Sequence, residues 1–164
     1  MSGRRRRSPS PPPSERHRVI RVVEADHVSP DLVASFTRLV NQLSRTSQPP
    51  TLDDLREMVE APGTRLLLAL DDSDHIAGSL TLVVFRIPTG VRAWVEDVVV
   101  DEGARRQGIG EALIRHALQV AVTAGARTVD LTSRPEREAA NRLYARLGFE
   151  RRETNVYRYA VDGR

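Results

Sequence analysis

The chain contains no cysteine and no lysine, and only seven of its 164 residues are aromatic. Each lack closes a class of chemistry. Without cysteine there is no disulfide framework, no zinc–thiolate site and no thiol nucleophile. Without lysine there is no Walker-type phosphate ligand, no Schiff base and no lysine side chain to modify itself. Seven aromatics, none in the first 18 residues, do not make a stacking platform for single-stranded nucleic acid. No apolar run approaches the ~20 residues that a bilayer span needs. The basic N-terminus is followed by Ser, Pro, Glu and Arg rather than an apolar stretch, so no secretory signal is read and a cytoplasmic location is expected.

What is present is arginine: 25 basic residues, all of this one type, against 22 acids, for a net charge of +3. The resulting pI of about 10.1 invites a nucleic-acid reading, but the charge is not evenly spread. Arg4, Arg5, Arg6, Arg7, Arg16 and Arg18 against Glu15 leave residues 1–18 at +5 and residues 19–164 at −2. The first segment continues into Ser8-Pro9-Ser10-Pro11-Pro12-Pro13 and has no large apolar residue after Met1. It cannot build a core and is expected to be disordered, as a solvated tail or as an arm for an anionic partner. Residues 19–164 have the length of one domain. That body is mildly acidic, so nucleic-acid binding is expected only through the tail, if at all.

The body alternates clear signals. Val19 to Val23 reads as a short strand. Ser29-Pro30-Asp31 opens a helix, with Ser as N-cap, Pro at the first helical position and an acid in the first turn. Its apolar stripe is Leu32, Val33, Phe36, Leu39, Val40 and Leu43. Thr51 and Asp54 have capping-box spacing and start a second helix, which Ala61-Pro62-Gly63 ends. Strands are expected at 64–70, 76–87 and 91–100, and their short polar connections imply an antiparallel meander. A glycine-bearing loop, a helix over 108–124, a strand over 128–132 and a helix over 135–147 follow. Residues 149–161 read as one or two more strands, with Tyr157 and Tyr159 on one face. The whole is a mixed α/β sandwich.

Residues 98–110 carry the most information. Val98-Val99-Val100 ends a strand, Gly103 and Gly108 punctuate a loop, and Gly110 lies in the first turn of a helix. A helix N-terminus presents free N–H groups and partial positive charge, and glycine lets a phosphate approach the backbone. Two common phosphate motifs fail here. The P-loop needs Lys-Ser/Thr where Ile109-Gly110 stands, and the Rossmann pattern needs glycine where Leu113 stands. The pattern that fits is R-x-x-G-x-G, at Arg105, Gly108 and Gly110. Downstream lies Asn141-Arg142-Leu143-Tyr144-Ala145-Arg146-Leu147-Gly148-Phe149, where Asn141 and Tyr144 are neighbours on a helix surface.

With these two motifs the sequence resembles the GNAT superfamily of N-acetyltransferases over about residues 19–160, most specifically over 94–110 and 139–149. The resemblance implies the GNAT fold: a mixed, mostly antiparallel central sheet, splayed at a β-bulge and flanked by about four helices. It implies acetyl-CoA as cosubstrate, its pyrophosphate held by backbone amides of Arg105, Arg106, Gln107, Gly108, Ile109 and Gly110. Val98, Val99 and Val100 would sit at the bulge and pair with the pantetheine arm. Asn141 would contact the cofactor, and Tyr144 matches the tyrosine that commonly protonates the departing thiolate. Bland readings stand beside these: turn glycines, surface arginines, a core tyrosine and a solvent-facing asparagine. The four histidines, at 17, 27, 75 and 116, show no ligand spacing, so no metal is expected.

Acetyl transfer needs a neutral amine. A lysine-like amine has a pKa of about 10.4, so deprotonation at pH 7 costs about 4.6 kcal/mol. That favours a positioned base, acting directly or through water. Glu96 and Asp97 precede the expected bulge and face opposite sides of the strand. Glu96, read as sharing a face with Trp94 and Val98, is the first choice; Asp97 is the alternative, because a bulge changes parity. A direct transfer in a ternary complex is expected, since no thiol can carry the acyl group. The acceptor stays open among sugar-phosphate amines, peptide or protein amines and other small amines; Val95 to Val100 looks similar to the matching strand of glucosamine-6-phosphate acetyltransferases. A non-catalytic acyl-CoA-binding module is the alternative. A homodimer could form if a C-terminal strand such as 155–160 pairs across subunits.

Overall fold

The computed structural model describes residues 20–44 and 46–161. The arginine-rich segment 1–18 therefore lies outside the described residues. In chain order the elements are β1 (Arg21–Glu24), α1 (Pro30–Leu43), α2 (Leu52–Glu60), β2 (Thr64–Leu70), β3 (Ile76–Ile87) and β4 (Gly90–Val100). A 3-10 turn (Glu102–Ala104), α3 (Ile109–Thr123), β5 (Ala126–Leu131) and α4 (Glu138–Arg146) complete them.

The helix starts follow from local chemistry. Ser29 Oγ accepts the Leu32 N–H ahead of Pro30, satisfying one of the donors that a helix start leaves free. Thr51 and Asp54 close the full reciprocal capping box on α2. α4 begins at Glu138 rather than near Pro135, because residues 134–137 close a turn first, with the Arg137 N–H on the Arg134 carbonyl.

The five strands lie in sequence order. β1 to β4 pair antiparallel, and β5 returns parallel to β4 after the α3 crossover. Alternation along the strands feeds two cores. Leu67 and Ala69 of β2, Leu80 and Leu82 of β3, and Ala93 and Val95 of β4 pack with Ile109, Leu113, Ile114, Ala117 and Ala121 of α3 and with Tyr144 of α4. On the other face, Leu66 and Leu68 pack with Leu32 and Phe36 of α1 and Leu55 of α2. Helices thus cover both faces of one sheet, which is the mixed α/β architecture expected from the sequence.

The expected C-terminal strands do not form. Residues 149–160 have no regular structure, and Tyr157 and Tyr159 are 88% and 90% exposed. A strand exists only by pairing, and among the described residues nothing pairs this charged stretch (Glu150, Arg151, Arg152, Glu153). β5 is the last strand of the sheet, so its outer edge is open among the described residues. No helix among the described residues is long and apolar enough to cross a membrane.

Candidate active site

The middle of β4 changes character. Opposite β3, Glu96 pairs with Thr81 and Val99 with Ser79, so Asp97 and Val98 together face the single residue Leu80. This is a β-bulge. Asp97 sits there with φ 48°, a left-handed conformation that costs a non-glycine residue about 1–2 kcal/mol. The parallel ladder to β5 stops at the same level, its last pair being Val95 with Leu131. Beyond it, β4 keeps β3 on one edge and, among the described residues, has no strand on the other.

The bulge also decides which side chains face where. Ala93 and Val95 face the α3 core before it, and Val98 and Val100 pack against the same core after it. Glu96 therefore shares its face with Trp94 but not with Val98, contrary to the sequence expectation: the extra residue turns Val98 over and leaves Val99 on the Glu96 side. The Trp94 indole Nε1–H donates to Glu96 Oε1 at 2.7 Å. Both Glu96 and Asp97 are exposed.

After Val100 the chain enters the glycine loop. Arg106 and Gly108 adopt positive φ, 63° and 80°. Backbone of alternating hand gathers successive N–H groups around one concavity. Gly108 is the N-cap of α3 and supplies no side-chain cap, so the N–H groups of Ile109, Gly110 and Glu111 have no partner within the helix. A Cβ on Gly108 would meet only Ile20 Cδ1, at 3.9 Å. The mouth is open, and the positive φ rather than crowding explains the glycine. Arg105 and Arg106 are exposed and Gln107 is half-buried. The result is a backbone cradle of the shape that suits an anion.

Two features hold the cradle from behind, and neither was anticipated from the sequence. Gly78 of β3 pairs with Val100, and a Cβ there would lie 2.8 Å from the Val99 carbonyl and 3.0 Å from Ile109 Cγ2. A glycine inside an otherwise apolar strand is the signal that could have found it. From α1, Arg38 Nε donates to Asp101 Oδ2 at 2.6 Å, and Gln42 Oε1 accepts the Glu102 N–H at 2.9 Å. No local pattern announces these long-range contacts.

α4 closes the other side. Its Leu143 reaches the Gly110 position, 3.5 Å from where a Cβ would stand. Arg146 pairs with Glu111, which also pairs with Arg115. Tyr144 is 9% exposed and belongs to the α3 core. Its ring meets Phe149 edge-on, with centroids 5.8 Å apart. Burial pushes its phenol above the ordinary tyrosine range, against the smaller opposing effect of the Arg137 charge. The Asn141 amide nitrogen donates to the Arg134 carbonyl at 2.9 Å and to the Pro135 carbonyl at 3.4 Å. Its first visible duty is therefore to hold the β5–α4 turn, which leaves its carbonyl oxygen as the atom a ligand would use. Among the described residues, no three His, Cys, Asp or Glu side chains come together as a metal site would require.

Three features thus adjoin: a strand edge opened by a bulge, a backbone cradle where that strand ends, and a buried phenol on α4. The acetyltransferase (GNAT) family model matches residues 31–149. The chain belongs to the GNAT family of acetyltransferases. Among curated relatives, glucosamine 6-phosphate N-acetyltransferase 1 of Oryza sativa subsp. japonica is 30% identical over 138 residues, covering 79% of this chain and 81% of that protein. An N-acetyltransferase of Methanocaldococcus jannaschii is 41% identical over 61 residues, 37% of this chain but only 27% of the relative's length. An aminoglycoside N-acetyltransferase solved in complex with CoA has the same fold, with a TM-score of 0.73 at 17% identity over 90% of this chain and 98% of that one.

Proposed function

We propose that the protein transfers the acetyl group of acetyl-CoA directly to a primary amine within a ternary complex. The observation that carries this reading is the uncapped N-terminus of α3, set at the end of the half of β4 that lacks a strand on one edge. The cradle suits a pyrophosphate, held by the amides around residues 106–110; the Arg105 N–H, also expected to take part, already donates to the Glu102 carbonyl at 3.5 Å. The open edge at Val98, Val99 and Val100 suits an amide-bearing arm that adds to the sheet as a further strand would.

The chemistry follows from the two faces. The amine nitrogen attacks the thioester carbonyl carbon; the C–N bond forms and the C–S bond breaks. Glu96, held by the Trp94 indole, takes the amine proton directly or through water, with Asp97 at the bulge as the alternative. A backbone N–H near Val98 to Val100 stabilises the transient oxyanion. Tyr144, kept protonated by its burial, gives its proton to the leaving thiolate. Glu96 and Tyr144 lie on opposite faces of β4, so the reacting carbonyl belongs in the gap where β4 and β5 part, which both faces reach. Asn141 offers its carbonyl oxygen to the cofactor.

A panel of amines with acetyl-CoA, followed by release of free thiol, tests the reading and narrows the acceptor. It should include glucosamine 6-phosphate, an aminoglycoside, a peptide with a free amine and simple alkyl amines. Thiol release with one class identifies the acceptor. Acetyl-CoA binding without release for any amine would mark a non-catalytic acyl-CoA-binding module instead. We further propose a homodimer in which residues 155–160 of one copy pair with the open β5 edge of another. Their exposed Val156, Tyr157 and Tyr159 support it, and light scattering should then give twice the chain mass, falling to one on deletion of 155–164. The arginine tail is proposed as an arm for polyanions; if so, removal of residues 1–18 should abolish a steeply salt-dependent affinity for DNA.

A further inference from the structure

We infer that Arg38 and Gln42 of α1 are positioning residues for the cosubstrate loop. They fix its first two residues, so that the amides further along stay aimed at one anion. This rests on the acetyl-CoA reading of that loop.

The loop runs eight residues from the end of β4 to the start of α3. Its far end is held by packing, because Ile109 is buried in the α3 core. Its near end is packed less firmly: Val100 and Ala104 touch the same core while only partly buried, Asp101 is half-buried, and Glu102 and Gly103 are exposed. Hydrogen bonds add the rest of its hold. The Asp101 N–H donates to the Ala77 carbonyl at 2.9 Å, and Asp101 Oδ1 accepts the Gly103 N–H at 3.0 Å. Its other carboxylate oxygen takes Arg38 Nε, while Arg38 Nη2 donates to the Ile76 carbonyl at 2.9 Å. One guanidinium thereby ties the first residue of β3 to the first residue of the loop. Gln42, one helical turn further along the same face of α1, accepts the Glu102 N–H.

The Asp101 carboxyl reports the sum of these contacts. Burial pushes its pKa up, yet the Arg38 hydrogen bond and charge, the Gly103 amide and Gln42 together hold it below the ordinary carboxylate range. Arginine suits this duty because its fork of donors serves a carboxylate and a carbonyl at once; a lysine ammonium lacks that fixed geometry. Two other exposed arginine pairs, Arg65–Glu24 and Arg21–Asp74, touch no part of the loop and serve as internal controls.

The test compares Arg38→Ala, Arg38→Lys, Gln42→Ala and Arg65→Ala in the full chain, after circular dichroism has established that each is folded. Acetyl-CoA affinity is read by calorimetry, and kcat and KM with whichever amine turns over. Arg38→Ala should weaken acetyl-CoA binding about tenfold, or about 1.4 kcal/mol, with kcat at saturation within about twofold. Gln42→Ala should show a smaller loss of the same kind, Arg38→Lys a partial rescue and Arg65→Ala no change. In the ligand-free protein, amide exchange over 101–108 should quicken in Arg38→Ala and not in Arg65→Ala. Wild-type protein that binds acetyl-CoA while Arg38→Ala binds it equally well overturns the inference alone. So does an equal loss in Arg65→Ala, which would mark a general loss of stability. Wild-type protein that does not bind acetyl-CoA overturns the reading of the loop and the positioning role with it.

Discussion

From Val91 to Val95 the strand β4 has a partner on both edges, β3 and β5; from Glu96 to Val100, among the described residues, it has β3 alone. Composition does not separate the two stretches, since each mixes valine with polar residues. Val95 and Val99 are almost equally buried, at 3% and 7% exposed. What separates them is one extra residue at Asp97–Val98 and the departure of β5. The first half spends its backbone polar groups within the sheet. The second half exposes Glu96 and Asp97 but buries Val99 as the first half buries Val95, and it leaves one row of donors and acceptors with no strand beside it among the described residues. Burial alone therefore does not reveal a site; unfinished pairing does.

Substitutions on either side of this divide should separate binding from stability. The largest effect is expected where the open half ends. Gly108→Trp puts a large ring at a left-handed position in the mouth of the cradle, and calorimetry should find no acetyl-CoA binding while the protein stays folded; retained affinity would remove the loop from the site. Next comes Tyr144→Phe. The ring keeps its contact with Phe149, but the thiolate loses its acid, so kcat should fall about 100-fold with acetyl-CoA affinity unchanged.

The same tyrosine makes a prediction about pH. Because burial raises its pKa above 10, the protonated phenol is fully present below that value. Its contribution to both catalysis and stability is lost only as pH rises further. An alkaline limb below pH 9 that disappears in Tyr144→Phe would contradict this.

The closed half should behave in the opposite way. Val95→Ala removes two buried methyl groups and should cost about 2 kcal/mol in denaturant unfolding, with acetyl-CoA affinity within about twofold. A large loss of affinity there would dissolve the distinction between the halves. The smallest effect is expected at the junction. Asp97→Gly relieves a left-handed residue and should change stability by no more than about 1 kcal/mol. It also asks whether Asp97 rather than Glu96 is the base: a collapse in kcat would answer yes.

Much of the frame was legible from local chemistry. β2 and β3 have the bounds expected, because the cluster Asp71-Asp72-Ser73-Asp74 and the pair Pro88-Thr89 leave a strand nowhere to continue. Ser29 and Thr51 announce their helices through side-chain caps that act within three residues. The glycine loop and the start of α3 were legible for a similar reason, since glycine spacing and a helix start are neighbours in sequence. Three things were not legible. The parity of Val98 depends on how β4 meets β3, more than ten residues earlier. The Arg38–Asp101 contact spans 63 positions. The strand character of 149–161 was read from side-chain alternation, but alternation only permits a strand and an edge must complete it.

Gly78 leaves the molecule without clearance at one point. Strand β4, the loop's origin and the first turn of α3 all converge on a place where not even a methyl group fits. The Ile109 and Leu113 side chains of α3 rest on the bare backbone of residue 78, beside the Val99 carbonyl, and the amides at the helix N-terminus inherit the height of that contact. A methyl group at residue 78 would act as a shim, pressing on the Val99 carbonyl of the strand and on Ile109 of the helix at once, and so spreading the strand end and the helix start from behind.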